Sequence, residues 1–335
     1  MTILVTGGCG FIGTNFISNW FQRTDEHIVN IDCMTYAANT AFLENPPHKN
    51  LINLTVDITN SQMVGEAFQM YHPRAIVHFA AESHVDRSIL SADQFIKTNI
   101  NGTYALLVNA LSYLGNAGKH IGDSFRFIHV STDEVFGSLK PDDSGFNETT
   151  AYKPNSPYSA SKAASDHLVR CYYKTFGLPS IVTNCSNNYG PHQNVEKFIP
   201  TVLHSFKNGQ KIPVYGDGKQ IRDWLFVEDH CNALMCILES GIPGESYNIG
   251  GNCEKTNLDL IACIYDELSR MHPGLLYRPL DDYISYVEDR LGHDQRYAID
   301  ASKMHRELGW RPEHDFVNGI SKTINWYFKD LTLAG

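Results

Sequence analysis

Two adjacent carboxylates, Asp133 and Glu134, follow directly on an apolar run that predicts a buried strand, within the stretch HVSTDEVFG at residues 129–137. Neighbouring carboxyl groups push each other's pKa values apart, so one can stay protonated while the other is ionised. Such a pair can act as general acid and general base on one substrate. The alternative is a pair that caps backbone N–H groups. Because consecutive strand residues point to opposite faces, acid–base chemistry by both requires the chain to leave β geometry at about Thr132.

A second pair of reactive side chains lies in the stretch YSASK, which places Tyr158 and Lys162 at i and i+4 on one face of a predicted helix. An ammonium group one turn from a phenol favours the phenolate, so we expect a lowered pKa for Tyr158. The pair could then take a hydroxyl proton while a hydride leaves for a nicotinamide, whose ribose Lys162 can also bind. Alone, this spacing is also typical of an exposed helix face.

A glycine-rich turn after the first predicted strand could hold that nicotinamide cofactor. The stretch VTGGCGFIG places Gly7, Gly10 and Gly13 three residues apart, with Phe11 and Ile12 between the last two. Glycines let the backbone turn tightly and approach a pyrophosphate, whose charge then faces the N-terminus of the following helix. A strand before the turn and a helix after it favour a dinucleotide site over a plain glycine-rich turn.

The ends of further predicted strands supply the other candidate cofactor contacts. Asp32 ends the second strand and can accept hydrogen bonds from a ribose diol. The same carboxylate would repel a 2′-phosphate and no Arg follows it directly, so the sequence favours NAD over NADP. For the alanines and asparagines among the remaining candidates, helix–strand packing and backbone hydrogen bonds are the alternatives. Those candidates are Thr35, Asp57, Ile58, Ala80, Ala81, Ser83, Asn99 and Asn188.

The elements that must position these residues alternate in type along the first half of the chain. Runs rich in Val and Ile alternate with helix-length segments, which predicts an α/β fold with a doubly wound parallel sheet of the Rossmann type. Turn signals accumulate after about residue 186. We therefore expect a Rossmann domain with the catalytic residues over 1–186 and a smaller mixed α/β substrate lobe over 187–335, with segments that can return to the first domain. The strand candidates are 2–6, 28–32, 51–57, 75–80, 125–131 and 180–184.

The composition narrows the range of partners. The 335 residues include 27 basic and 37 acidic side chains, for a formal net charge of -10, which disfavours nucleic acid and anionic membranes. No apolar stretch is long enough to span a membrane, and the N-terminus has no signal-peptide pattern. Eight scattered cysteines without a CxxC motif indicate reduced thiols in a cytoplasmic protein. Fifteen histidines without ligand spacing predict no metal site.

In combination, the motifs resemble those of the extended short-chain dehydrogenase/reductases that act on nucleotide sugars. The resemblance covers essentially the whole chain, in the expected order: TGGCGFIG, FAAESHVDRS, NGTYALL, YSASKAASDHLVR, NNYGP, RDWLFVEDH, YNIGG and LGWRP. Within that superfamily the chain resembles the dTDP-glucose 4,6-dehydratases, through STDEVFG, AESHVDRSI, TNCSNNYGP, GKQIRDWLFVEDH and DRLGHDQRYAID. Related epimerases typically carry small or hydroxyl residues in place of the acid pair.

The resemblance implies an NAD-dependent hydro-lyase that oxidises C4 of dTDP-glucose, eliminates water across C5 and C6, and returns the hydride to C6. The oxidation makes C5–H acidic, because it then lies α to a ketone. Family roles make Asp133 the acid at the C6 oxygen and Glu134 the base at C5, with Thr132 bonding O4 beside Tyr158. Three alternatives remain: a 4,6-dehydratase for a UDP-, CDP- or GDP-hexose, a 4-epimerase, and a non-catalytic NAD-binding sensor.

A sugar diphosphate needs local positive charge in an acidic protein. The resemblance suggests that Arg222 and Arg290 bind the diphosphate and that Tyr215 stacks on the base, whereas Lys197 could equally be an ordinary surface residue. Further polar substrate contacts are expected from Ser83, Asn187, Asn257 and His293. The chain departs from the family pattern at Gln193-Asn194-Val195, Leu291 and Phe136. These departures concern substrate identity, since none of them removes a reacting group.

The resemblance also implies a homodimer in which helices 93–114 and 158–176 form a four-helix interface. The sequence itself shows only that these two segments are long and amphipathic.

Overall fold

The computed structural model describes residues 1–44, 46–117 and 124–329. Its strands are β1 (Thr2–Thr6), β2 (His27–Asp32), β3 (Leu51–Thr55), β4 (Ala75–His78), β5 (Arg126–Thr132), β6 (Ser180–Cys185), β7 (Asn187–Tyr189), β8 (Ile212–Tyr215), β9 (Ile221–Phe226), β10 (Ser246–Ile249), β11 (Glu254–Thr256) and β12 (Ile284–Val287).

Its α-helices are α1 (Phe11–Phe21), α2 (Thr40–Glu44), α3 (Ser61–Tyr71), α4 (Val85–Leu90), α5 (Asp93–Phe95), α6 (Thr103–Ala117), α7 (Pro157–Phe176), α8 (Phe198–Asn208), α9 (Val227–Ser240), α10 (Asn257–Met271), α11 (Ser302–Leu308) and α12 (Phe316–Tyr327). A π-helical segment, Ile96–Gly102, joins α5 to α6, and 3-10 turns cover Asp133–Phe136 and Leu280–Tyr283. No helix within the described ranges is both long and apolar enough to cross a membrane.

Seven strands form one parallel sheet in the order β10-β6-β5-β4-β1-β2-β3. Apolar residues cover both of its faces. Ile3 and Val5 of β1 pack with α1 and α9 on one face, whereas Leu4 packs with α3, α6 and α7 on the other. Burial on both faces explains why the central strands β1 and β4 are mainly apolar along their length and do not alternate with polar residues. The predicted doubly wound sheet is confirmed.

The second half of the chain forms a smaller lobe and also adds elements to the Rossmann domain. Smaller sheets, β11-β9-β7 and β12-β8, pack with α8, α10 and α12 around a separate core. However, β10 pairs with β6 at the edge of the large sheet, and α9 and α11 pack against that sheet's core. Residues 246–249 therefore return to the Rossmann sheet. The proposed boundary at residue 186 stays a prediction, and residues 330–335 of the second lobe lie outside the described ranges.

The strand order determines where a ligand can enter. Order along the sheet reverses between β1 and β4, and in open α/β sheets ligands bind at such a switch point, beyond the carboxyl ends of the strands. The glycine-rich turn follows β1, residues 79–83 follow β4, and the acid pair follows β5. The topology thus brings the segments predicted to carry chemistry to one edge of the sheet.

Candidate active site

One cavity extends along this edge from the end of β3 to the end of β6. It contains the predicted reacting groups and all of the predicted cofactor residues except Asn99. The predicted residues in its wall are Gly7, Gly10, Phe11, Ile12, Gly13, Asp32, Thr35, Asp57, Ile58, Ala80, Ala81, Ser83, Thr132, Asp133, Glu134, Tyr158, Lys162, Asn187, Asn188 and Lys197.

The glycine turn packs too closely for side chains. Gly7 has φ +72, and a Cβ there would lie 2.6 Å from the backbone nitrogen of Ala80. A Cβ at Gly13 would lie 2.4 Å from the Gly7 carbonyl oxygen. Helix α1 starts immediately after Gly10, and no side chain caps its N-terminus. Because the first amides of a helix lack intrahelical acceptors and carry positive potential, this turn fits a pyrophosphate.

Asp32 is held rigidly beside that turn. Its Oδ2 accepts a hydrogen bond from the Cys9 amide and its Oδ1 accepts one from the Met34 amide, both at 2.9 Å. Burial raises the pKa of Asp32, while these two amides oppose the rise. The fixed carboxylate has remaining lone pairs for a ribose diol, so the residues present fit a dinucleotide.

The chain leaves strand geometry where acid–base chemistry requires it. Strand β5 ends at Thr132, which is still extended at φ -136 and ψ 155, and a 3-10 turn begins at Asp133. The Thr132 hydroxyl accepts a hydrogen bond from the Glu134 amide at 3.3 Å, which caps the turn. The expected break is confirmed, and both carboxylates line the same cavity.

The two carboxyl groups have different surroundings. Asp133 is 2% exposed, and burial, followed by the charge of Glu134, raises its pKa well above the usual value. Its Oδ2 has no hydrogen-bond partner in the part of the chain that the structure describes. Burial also raises the pKa of Glu134, but Arg290, Arg222 and Lys197 oppose the rise. Asp133 is therefore the better placed to keep a proton, and Glu134 to lose one.

The burial of Asp133 predicts a stability effect. Because its pKa is higher in the folded chain than in the unfolded chain, stability falls as pH rises from the unfolded value through the folded one. Asp133→Asn removes this loss. We expect it to raise the free energy of unfolding at pH values above the folded-state pKa, where the wild-type chain buries a charged carboxylate.

The difference between Asp133→Asn and wild type should vanish below the unfolded pKa of an aspartate, where both side chains are neutral. Calorimetric melting of the two proteins at acidic and alkaline pH tests this, with Glu239→Gln on the exposed surface of α9 as control. A difference that is the same at both pH values would show that ionisation of Asp133 is not its cause.

Tyr158 and Lys162 are both buried against the end of β5. Tyr158 is 8% exposed and Lys162 is 4% exposed, and Lys162 Nζ donates to the Val130 carbonyl at 2.8 Å. The expected lowering of the Tyr158 pKa is wrong for the protein alone. Burial raises that pKa well above its usual value and the Glu134 carboxylate adds to the rise. The sequence shows that the lysine lies one helical turn from the tyrosine. It does not show that the phenol is buried or that the Glu134 carboxylate lies near it.

The five other predicted substrate residues lie in the second lobe and do not line this cavity. Arg222 is buried, with its guanidinium 4.3 Å from the centre of the Tyr297 ring, and its charge acts on both acids. Arg290 Nη1 lies 3.5 Å from Asp86 Oδ1.

The remaining three have partners of their own. The Tyr215 hydroxyl donates to Asp86 at 3.4 Å, Asn257 donates to Gln220 at 3.4 Å, and His293 lies 2.6 Å from Asp289. Their contacts with substrate stay predictions.

Asn99 and Asn188 have mainly local partners. Asn99 is buried outside the cavity wall, where its amide bonds both backbone groups of Glu82 and donates to Ser161. Asn188 lines the cavity, donates to the Ser186 carbonyl and pairs with His230. Their contact with a cofactor stays a prediction, and for Asn99 the backbone-bonding alternative has the stronger support.

The cavity wall also contains residues that the sequence reasoning missed, and three of them are Tyr36, Cys185 and Glu196. None belongs to a motif with its own chemistry. Two of them could have been suspected because they are adjacent in sequence to predicted residues: Tyr36 follows Thr35, and Glu196 precedes Lys197.

Comparisons with known proteins agree with this geometry. The family model for GDP-mannose 4,6 dehydratase matches residues 4–323. The dTDP-glucose 4,6-dehydratase of Salmonella typhimurium is 51% identical over 98% of this chain and 92% of its own length. The enzyme of the same name from Haemophilus influenzae is 48% identical over 98% of both chains.

Solved structures of dehydratases and of an epimerase have the same fold as this chain. The dTDP-glucose 4,6-dehydratase of Streptomyces venezuelae, solved with NAD bound, superposes with a TM-score of 0.88 at 38% identity, covering 99% of this chain and 98% of its own. That of Bacillus anthracis, also with NAD, has a TM-score of 0.86 at 42% identity with the same coverage. A UDP-glucose 4-epimerase from Thermotoga maritima has a TM-score of 0.86 at 25% identity, covering 99% of this chain and 100% of its own. The chain therefore belongs to the dTDP-glucose 4,6-dehydratase family of the extended short-chain dehydrogenase/reductases.

Proposed function

We propose that this protein converts dTDP-glucose to dTDP-4-keto-6-deoxyglucose, with NAD as a cofactor that is regenerated in each cycle. One observation carries the proposal: the acid pair and the Tyr–Lys pair lie in the wall of one cavity that also holds a dinucleotide cradle. Relatives named for this reaction, at about half identity over nearly the whole chain, support the choice of substrate.

The cofactor would be held by the turn at Gly7–Gly13 through its pyrophosphate, by Asp32 through a ribose diol and by Lys162 through the nicotinamide ribose. Bound NAD supplies a hydride acceptor for C4 and, later, a hydride donor for C6. The fit rests on the close approach of Gly7 and Gly13 to neighbouring backbone and on the uncapped N-terminus of α1.

In the oxidation, Tyr158 accepts the proton of the C4 hydroxyl while Thr132 hydrogen-bonds O4. The phenolate is the form that can accept this proton, and the Lys162 ammonium, one helical turn away, favours it. Glu134 acts in the opposite sense, because its negative charge raises the pKa of Tyr158. The basicity of Tyr158 therefore depends on the charge of both neighbours.

In the elimination, Glu134 takes the proton from C5, which the C4 ketone has made acidic. Asp133 donates a proton to the C6 hydroxyl, which leaves as water when the C5–C6 double bond forms. Burial keeps Asp133 protonated, and the cations facing Glu134 favour its ionised form. Each positioned proton transfer typically contributes about 10²–10⁴ to the rate. A 4-epimerase has no need of this pair, which is why we place elimination above epimerisation.

Three cations could hold the diphosphate of the substrate: Lys197 in the cavity wall, and Arg222 and Arg290 from the second lobe. The charges of all three oppose the rise in the pKa of Glu134, so all three lie near enough for their charge to reach that carboxylate. The thymine base is proposed from the relatives' names, with UDP-, CDP- and GDP-hexoses as the alternatives.

One assay tests the reaction. On incubation with dTDP-glucose in deuterated water, with the NAD that the protein retains, we expect loss of one water and one deuterium at C5. Mass spectrometry and NMR of the nucleotide sugar measure both.

Each other product of that assay has a defined meaning. A C4 epimer formed without loss of water would contradict the proposal in favour of an epimerase. No turnover of any nucleotide hexose would favour a non-catalytic NAD-binding protein. Dehydration of a UDP-, CDP- or GDP-hexose in place of dTDP-glucose would support the proposed reaction but contradict the proposed nucleotide.

We further propose a homodimer through α6, α7 and the segment 93–102, and a cytoplasmic location. Exposed apolar side chains on or beside these elements support the dimer: Leu90, Ile96, Tyr104 and Phe176. All eight cysteines are free thiols, which fits a reducing compartment.

A further inference from the structure

Residues 191–197, here called the strap, form part of the cavity wall between β7 and α8. The beginning of the strap is tied to the Rossmann domain. Asn15 Nδ2 donates to the Pro191 carbonyl oxygen at 2.9 Å, and Asn39 Nδ2 lies 2.9 Å from His192 Nδ1. These contacts hold the start of the strap close to α1 and to the chain that follows Asp32.

The far end of the strap is closed by three side chains, here called the clamp: Tyr36, Arg87 and Glu196. Glu196 Oε1 accepts a hydrogen bond from the Tyr36 hydroxyl at 3.1 Å, and its Oε2 accepts one from Arg87 Nη2 at 3.0 Å. The Arg87 guanidinium also stacks on the Tyr36 ring, 3.7 Å from its centre. Each member of the clamp therefore contacts both of the others.

Two further side chains, His84 and Lys197, lie beside the clamp. His84 Nε2 lies 3.8 Å from Glu196 Oε2, and Lys197 Nζ donates to the Ser83 carbonyl at 3.1 Å. Burial and the charge of Lys197 lower the pKa of His84, so it contributes as a neutral ring near neutral pH. The ion pair of the clamp is thus the contact between Arg87 and Glu196.

The clamp joins three separate parts of the chain: the loop after β2, helix α4 and the strap. Tyr36 and the Arg87 side chain are about half exposed, at 49% and 47%. Exposed ion pairs contribute only about 0–1 kcal/mol each, so such a contact can open repeatedly. Tyr36 and Glu196 line the same cavity as Asp32 and Thr35. A dinucleotide bound to Asp32 would therefore lie on the inner side of the clamp.

We propose that the clamp controls exchange of the dinucleotide, which enters and leaves only when Glu196 separates from Tyr36 and Arg87. This rests on the proposed function for the identity of the ligand as NAD. The proposed reaction returns the hydride that it borrows, so the cofactor has no need to leave between turnovers. A closed clamp retains it, and the residue that sets the exchange rate is Glu196, outside the group of reacting side chains.

The test is the kinetics of nucleotide binding, with NADH as the fluorescent probe and no sugar substrate. Glu196→Gln keeps the size of the side chain and removes its charge. We expect its NADH dissociation rate to rise about tenfold and its association rate to rise several-fold, because opening of the clamp limits both. Tyr36→Phe keeps the stacking on Arg87 and removes one hydrogen bond, so it should give a smaller rise of about threefold.

Salt provides a second measurement. Raising KCl from about 0.05 to about 0.5 M should speed NADH release from wild type more than from Glu196→Gln, because screening weakens the Arg87–Glu196 pair only where both charges exist. The matched control is Glu245→Gln, which removes the carboxylate of a similar ion pair with Lys303, 2.6 Å long, away from the strap. It should release NADH at the wild-type rate.

Three results would overturn the proposal. One is unchanged release from Glu196→Gln. Another is faster release without faster association, which would make Glu196 a plain binding contact. The third is an equal effect of Glu245→Gln. Because the assay contains no sugar, slow exchange that depends on Glu196 would support the clamp even if dTDP-glucose were not the substrate. Failure to bind NADH at all would overturn both proposals.

Discussion

Replacing Asp133 by Asn and Glu134 by Gln together is expected to stop elimination while leaving a slow oxidation at C4. The oxidation uses Tyr158, Thr132 and Lys162, none of which is altered. Loss of one proton transfer is expected to lower the rate of elimination by a factor of about 10²–10⁴. Because both transfers serve the same step, the effect of the double substitution is not the product of the two single effects. On mixing with dTDP-glucose, the variant should accumulate reduced nicotinamide, measured by absorbance, and release no dehydrated sugar.

The single variants separate the two roles. Glu134→Gln should block deuterium exchange at C5, whereas Asp133→Asn should allow that exchange and slow the departure of the C6 hydroxyl. Glu239→Gln, on the exposed surface of α9, serves as the control for loss of a carboxylate. Elimination at the wild-type rate in the double variant would show that the acid pair is structural, as a cap of the turn that follows β5.

The reason that these two acids could be predicted is that their chemistry depends on local order in the sequence. Asp133 and Glu134 follow a strand, and the turn that aims both into the cavity involves only Thr132 and its neighbours. The glycine turn is equally local, because the strand, the glycines and the helix are consecutive. Motifs of this kind can be recognised without knowledge of the tertiary fold.

Other features depend on contacts between distant parts of the chain. The Tyr158 pKa is raised because the fold buries the phenol beside Glu134, and this reverses the expectation from Lys162 alone. The clamp joins Tyr36 and Glu196 across 160 positions of sequence. A lone tyrosine or glutamate has no pattern that would mark such a contact in advance.

The fold shows the same division. Alternation of strands and helices predicted the parallel sheet over the first half of the chain. The return of β10 to the edge of that sheet could not be placed, because "ESYNIGG" has no periodicity that separates a sheet-edge strand from a strand of the smaller lobe. Which strand pairs with which is decided by the tertiary fold. The sequence of a strand of only four residues contains little evidence about its pairing partner.

Tyr158→Phe is expected to abolish both oxidation and elimination, which is a more complete loss than the acid-pair variants give. Without the hydroxyl there is no group to take the C4 proton, and without the C4 ketone the C5 proton is not acidic enough for Glu134 to remove. We expect turnover to fall by at least about 10²–10⁴. Unlike the acid-pair variant, this one should accumulate no reduced nicotinamide after mixing with dTDP-glucose.

The matched control is Tyr113→Phe in α6. Its buried hydroxyl has no hydrogen-bond partner among the described residues, so removing it tests the loss of a phenol oxygen without loss of a contact. We expect wild-type turnover from this control. Reduction of nicotinamide by Tyr158→Phe at the wild-type rate would exclude Tyr158 as the base.

A bypass experiment distinguishes loss of the base from a general disturbance of the site. The product, dTDP-4-keto-6-deoxyglucose, already carries the C4 ketone, so exchange of its C5 proton in deuterated water needs Glu134 but no hydride transfer. Tyr158→Phe should therefore retain this exchange, and Glu134→Gln should lose it. If Tyr158→Phe also loses the exchange, the phenol supports the position of the sugar as well as its oxidation. The assignment of Tyr158 to the first step alone would then be wrong.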